Sequence, residues 1–421
     1  QFKEMLEEEG VPQGDAEEEF ILPVISNLGT VPLKVLDVPR NVDYKRNGPK
    51  PCLEAPFAGL PPVSLNWYPR VQAAQSKGAE GQAAEVALDT GKLTGRHTAF
   101  FNLDEIWLAL QDYKAERSWY NLCVPREAIA ELLQRDDWYT LYIPAAELEF
   151  TNFGRVRRWQ EVAIALLRKY VERVYLYRKA EYERPFTHYR DLTADDPNLI
   201  QSYTICIDQE QAELVAKLKV LKQLIETEQL TEAGWSFGSL VALGFSRHLY
   251  RPLLHLKNSG LQISPVALNG GERDFVEDLR LYYESNREMF AGRELYLLRN
   301  MSRGRGIGFF EAGNFYPDFI LWLVAGDRQY VTFIDPKGIR NLAGISDPKI
   351  RFYRTIKDLQ QRLGDPNVVL NSFIVSTTPF KSAGWWASNE KAEFEARNVL
   401  FQVEDRSTYI AKLVEGIVPL R

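Results

Sequence analysis

The chain has 421 residues, 45% of them hydrophobic and 26% charged, with a formal net charge of −6. Such a length calls for two or three domains, and the composition excludes wholesale disorder. The mild negative balance excludes a uniformly basic nucleic-acid coat but leaves room for local basic patches.

Cys52, Cys123 and Cys206 lie far apart in sequence, include no C-x-x-C pair and cannot build an even disulfide framework. With only four histidines beside them, they point away from a structural zinc site and towards a reducing, cytoplasmic setting. No run of about 18 apolar residues predicts a membrane span, and the acidic start of the chain does not read as a signal peptide. The chain opens on Gln1 without Met, which reads as a fragment of a longer protein or a processed one.

Residues 1–70 mix short apolar runs with many prolines and predict strands and loops. The Ala-, Gly- and Gln-rich stretch 71–95 reads as a flexible insertion or an exposed loop. Residues 104–150 predict a helix near Arg126 to Gln134 and a strand ending at Ile143, so that 1–150 forms a mixed α+β region. A long helix is predicted over 155–184, where nine lysines or arginines outnumber four glutamates and Trp159, Tyr170, Tyr175, Tyr177 and Tyr182 are interleaved. Two readings stand for it. Arg155, Arg157 and Arg158 with the aromatics suit a phosphate backbone and stacked bases; an amphipathic helix with a solvated charged face has the same pattern. A second helix is predicted over Glu210 to Glu228, making 151–265 a mainly helical connector. Beyond it, 266–421 reads as a separate α/β domain with a central mixed sheet, in the order αβββαβ.

The chemistry concentrates in Glu311 to Arg340. Two apolar, β-branched and aromatic runs flank Ala325-Gly326-Asp327-Arg328 and predict a β-hairpin. The first strand opens with Pro317-Asp318 and the second closes with Asp335-Pro336-Lys337. Alternation places Asp335 and Lys337 on one face, and the hairpin brings Asp318 beside them. Carboxylates in such a cluster suit a hard cation, Mg²⁺ with Mn²⁺ as a substitute. An ammonium beside them can orient or deprotonate a water. In the helix that starts near Glu272, the apolar stripe Phe275, Val276, Leu279, Tyr282 and Tyr283 has Glu272 at its middle and Glu277 on the opposite side. Glu272 is therefore the candidate third acid; its alternative is a helix cap. Glu311 is a further candidate ligand, although such a residue is more often simply exposed.

RGRGIGFFEAGNFYPDFILWL followed by FIDPKG, with GERDFVEDL before them, resembles the C-terminal endonuclease domain of type III restriction enzyme Res subunits and related bacterial helicase–nucleases, of the PD-(D/E)xK type. NVDYKRNGPKP and LNWYPRVQ resemble the region that follows the helicase core. The resemblance implies a Mg²⁺-dependent DNA endonuclease. In it Asp318, Asp335 and Glu272 are metal ligands and Lys337 is the catalytic lysine. It also implies double-stranded DNA as substrate, a helicase motor upstream or in a partner, and a modification or specificity subunit. No G-x-x-x-x-G-K-[ST] occurs, so ATP binding is not expected of these residues. The competing class is an inactive nuclease-fold module that positions DNA or a partner subunit.

Gly234-Trp235-Ser236-Phe237-Gly238 matches a nucleophile-elbow pattern but lacks the preceding strand; His248 and His255 follow too closely, and no later histidine exists. Gly304, Gly306 and Gly308 with Arg303 and Arg305 form either a phosphate cradle or a plain loop. Asp347-Pro348-Lys349 repeats the Asp-Pro-Lys string and reads as a helix start.

Overall fold

The computed structural model describes residues 17–39, 41–54, 60, 62–68, 89–196, 198–208, 212–257, 261–301, 316–339, 345, 347–380 and 390–418. They form a mixed α/β protein of two compact units. One gathers the described residues of Gln1–Asp37, His188–Gly308 and Tyr316–Arg421; the other gathers the described residues of Val38–Thr187.

The first unit is built on a five-stranded sheet in the order Glu294–Arg299, Phe319–Ala325, Arg328–Lys337, Val368–Ser376, Val399–Phe401. The first three strands run antiparallel and the last two join parallel. The predicted hairpin is present, with Ala325 paired to Arg328. Gly326, at φ 58°, takes the left-handed position that a two-residue turn requires. Phe319 to Val324 are all buried, so neither face of this strand meets water. The helix Gly270–Ser285 turns Phe275, Val276 and Leu279 inward, and Phe275 packs on Phe319 with ring centroids 5.3 Å apart. Helix Pro348–Leu363 makes the crossover to the parallel strand. Asp347 caps it, Pro348 begins it, and Gly364 at φ 68° ends it. The predicted order αβββαβ is observed, closed by the strand Val399–Phe401 and the helix Tyr409–Ile417.

The expected divisions at 150/151 and 265/266 are corrected. Residues 188–265 are not mainly helical: Ala212–Glu226 is a helix, but seven strands surround it, from His188–Asp191 to Gln262–Ser264. They join the C-terminal sheet directly, since Leu249 N donates to Leu297 O and Leu297 N to Arg247 O, each at 2.8 Å. The N-terminal segment joins it too. Trp322 Nε1 donates to Lys34 O at 2.7 Å, Gln329 Nε2 to Pro32 O at 2.6 Å, and Lys34 N to Gln329 Oε1 at 2.9 Å. Backbone polar groups must be paired when buried, and here the partners come from opposite ends of the chain.

The second unit holds the long helix, Phe153–Glu183, against helices Leu103–Glu116 and Arg126–Leu133 and a small sheet of Val63–Asn66, Tyr139–Tyr142 and Thr90–Gly91. One core runs through all of it, including Trp119 stacked on Tyr175 at 4.4 Å. A boundary at 150 would cut that core. Among the described residues no helix is long and apolar enough to cross a membrane.

The ties at Gln329 yield a prediction. Gln329 is buried and bonds the N-terminal segment twice. Gln329→Ala leaves two backbone groups unpaired and is expected to lower unfolding free energy by about 1–3 kcal/mol. Urea unfolding followed by tryptophan fluorescence measures it; an unchanged midpoint would show that the segment docks without these bonds.

Candidate active site

The hairpin register sets the geometry. Phe319 pairs with Ile334, so one further step of the same ladder sets Asp318 against Asp335. Asp335 and Lys337 lie two apart on the longer strand and point to one side. All four residues expected at the site, Asp318, Asp335, Lys337 and Glu272, line one cleft of about 510 Å³. Pro336 pairs across to Val375, and Thr377 N returns to Lys337 O at 3.0 Å, which closes the floor. Gly271 lines the cleft as well: a Cβ there would sit 2.4 Å from Thr377 Cγ2, so only glycine lets the helix start so close.

The electrostatics follow from crowding. Burial, then the neighbouring charge of Asp335, pushes the Asp318 carboxyl up to about 9; Glu272 adds to this and Lys337 opposes it. Asp335 is buried, and its Oδ2 lies against the Lys337 ammonium without a donor aligned to it as a hydrogen bond. Burial disfavours the Lys337 charge, but Asp335 and Asp318 outweigh it and hold this lysine protonated above its ordinary range.

Glu272 is placed differently from its two companions. It is buried, as the helical stripe requires. Its carboxylate, however, accepts Asn269 N at 3.2 Å and Asn269 Nδ2 at 2.7 Å, while Glu272 N donates back to Asn269 Oδ1 at 2.9 Å. This is a capping box, the alternative weighed for it. Arg299 adds an ion pair at 3.1 Å. Among the described residues no three His, Cys, Asp or Glu side chains are gathered as a ready metal set. The donor set that fits a hard divalent cation is the pair Asp318 and Asp335: two crowded, facing carboxylates whose repulsion a cation would offset. Glu277, predicted to face away from the sheet, is half-buried and lies 4.0 Å from Arg273.

The residue that sequence reasoning missed is Lys349. The sequence marks it only as part of a helix start, and Asp347 accepts Lys349 N at 2.9 Å there. Its side chain also reaches Lys337, and burial followed by that neighbouring charge lowers it to about 8. The repeated Asp-Pro-Lys string was the available signal.

Other candidates disperse. Arg155 is half-buried and ion-paired with Glu147, and Arg158 lies 3.6 Å from the same carboxylate. Arg157 is exposed. Trp159, Tyr170 and Tyr175 belong to the core, so these rings are not available for stacking bases, and that part of the expectation is corrected. Arg303, Arg305, the three nearby glycines and Glu311 lie outside the described residues. Ser236 sits in a hairpin strand, Trp235–Phe237, with no helix after it, and His248 is buried between Tyr250 O and Arg299 N. The nucleophile-elbow pattern is a turn. Comparison with family models, with curated proteins and with solved structures gives no match to this chain.

The raised Asp318 carboxyl makes stability depend on pH. Unfolded, the group loses its proton near its ordinary value of 3.8; folded, it keeps it up to about 9. Between those limits the folded state binds more protons, so stability falls as pH rises. Asp318→Asn is expected to flatten that slope in metal-free buffer and to gain most on the parent near the upper limit. Urea unfolding in EDTA between about pH 5 and about pH 9 measures it; parallel slopes for parent and variant would show an ordinary carboxylate.

Proposed function

We propose that this chain is a Mg²⁺-dependent DNA endonuclease of the PD-(D/E)xK type, cutting phosphodiester bonds at the cleft of Asp318, Asp335 and Lys337. The observation that carries the reading is the hairpin register, which opposes the two aspartates and leaves Lys337 beside them at the open end of the hairpin. The mixed sheet with its preceding helix and parallel crossover suits a nuclease core. Asp318 and Asp335 are the residues that would hold the cation. A bound divalent ion supplies polarisation of the phosphoryl oxygen and an activated water. Lys337, kept protonated by its neighbours, orients the attacking water or offsets charge on the phosphate. Glu272 acts as a positioning residue, fixing the start of its helix through Asn269 and Arg299. The first turn of that helix lines the cleft and brings the positive end of its dipole towards a phosphate. Double-stranded DNA, a separate helicase motor and a modification or specificity subunit are the partners this reading carries.

One observation favours a second reading, a nuclease-fold module that holds DNA without cutting it: Lys337 occupies Asp335 and Glu272 is spent on its cap, so only two acids remain. Plasmid cleavage with Mg²⁺ against EDTA decides between them. Under the first reading Lys337→Ala lowers cleavage by about 10²–10⁴-fold with metal affinity nearly kept. Asp335→Ala and Asp318→Ala weaken metal binding as well, measured by calorimetry with Mn²⁺. DNA binding without any Mg²⁺-dependent nicking by the parent would establish the second.

A further inference from the structure

Cys52 and Cys123, far apart in sequence, are partners in an isolated parallel β-bridge of the second unit. Leu53 N donates to Cys123 O at 2.8 Å and Cys123 N to Pro51 O at 2.9 Å, so the backbone of Cys123 is clamped on both sides of Cys52. Neighbouring strands lie about 4.8 Å apart, inside the roughly 4.4–6.8 Å between Cα atoms that a disulfide spans. Both cysteines are free and exposed. The neighbouring Cys52 thiol, more than burial, holds the Cys123 proton above its ordinary range. Lys114 lies close enough to favour a thiolate at Cys123 electrostatically.

Both walls are anchored. Asn121 Nδ2 donates to Tyr44 O at 3.1 Å and Pro49 O at 3.3 Å, and Tyr175 OH to Asn121 Oδ1 at 2.9 Å. Tyr170 OH donates to Glu54 O at 2.9 Å and Trp107 Nε1 to Val124 O at 3.0 Å. Leu53, Leu122 and Val124, beside the two cysteines, are buried in the core. The two thiols are therefore held together by the fold and do not depend on a chance encounter of loops.

We propose that Cys52 and Cys123 form an oxidation site that closes to an intramolecular disulfide by exchange with a small disulfide such as glutathione disulfide. One protein thiolate attacks a sulfur of that disulfide; its S–S bond breaks and one glutathione leaves as thiolate. The second cysteine, as thiolate, then attacks the mixed disulfide and the second glutathione leaves. Two protein thiols are oxidised, one disulfide is reduced, and the two cysteine protons end on the two glutathiones. Cys206, half-buried in the strand Ser202–Asp208 of the other unit, takes no part. The new bond joins Cys52 to the residue just before Val124 and restrains the unfolded chain between them, which stiffens the second unit. This inference is independent of the nuclease reading.

The test uses the full chain and glutathione disulfide, with thiols titrated after denaturation and the intact mass measured. The three free thiols should fall to one, the mass should drop by two hydrogens, and dithiothreitol should reverse both. Tm should rise by about 5 °C or more. Cys52→Ser and Cys123→Ser, both at exposed positions, should fold normally, form no internal link and show no such rise, while Cys206→Ser should still close. Persistence of all three thiols, a stable glutathione adduct on the parent chain, a disulfide-linked dimer, or closure with an unchanged or lowered Tm would each overturn it.

Discussion

Two carboxylates held face to face across an antiparallel pair, largely out of water, repel each other, and the centre of this protein is arranged around that cost. A buried charge without a counter-charge is among the most expensive features a fold can carry. Here one carboxyl is pushed towards its neutral form and the other is met by Lys337. Lys349 in turn yields part of its own affinity for a proton to Lys337. The protonation of Asp318, Lys337 and Lys349 is thus set by neighbouring charge as well as by burial, and a cation entering between the aspartates would change the field that all three meet.

Holding such a cluster in place takes rigid surroundings, and the strands supply them. The hairpin is buried along both faces and continues into a parallel ladder on one side. On the other side the edge strand Glu294–Arg299 is bridged to Arg247 and Leu249. Arg299, at the end of that edge strand, reaches Glu272 and the carbonyl of Ala267, so the helix start is fixed to the sheet near the cleft. The second-unit helix Phe153–Glu183 is held in the same manner by its own aromatic core, with Tyr170 and Tyr175 bonding loop carbonyl and amide groups through their hydroxyls.

What was legible in the sequence was local. The alternation of Asp335 and Lys337, the turn at Gly326 and the opposition of Asp318 all follow from strand periodicity and hairpin arithmetic. Periodicity also put Glu272 on a buried face, and Asn269 three residues before it already spelled a capping box; its second partner, Arg299, sits on another element and left no local trace. The spacing of Trp159, Ala163, Leu166 and Tyr170 marks a core stripe, and those rings needed no nucleic acid to explain them. The unit boundaries were illegible because they depend on contacts between distant residues: Trp322 with Lys34, Gln329 with Pro32. The meeting of Cys52 and Cys123 was hidden for the same reason. Short strands between 188 and 265 carry too few residues for a period to declare itself.

Asp37 and His188 are paired partners at the ends of two antiparallel strands, Lys34–Asp37 and His188–Asp191. The whole of Val38–Thr187 therefore leaves and re-enters the first unit through one hairpin tip. A unit inserted at such a point has its ends already joined, so its own sequence can lengthen, shorten or change without shifting the register of the strands below it. Its described residues are contiguous in the chain, and the contacts among them can close before residue 188 emerges from synthesis. The first unit has no such independence: its N-terminal strands must wait for partners near Trp322 and Gln329. Folding in the cell would then run inward-out, with the contacts within the described residues of Val38–Thr187 formed while the host is still unmade.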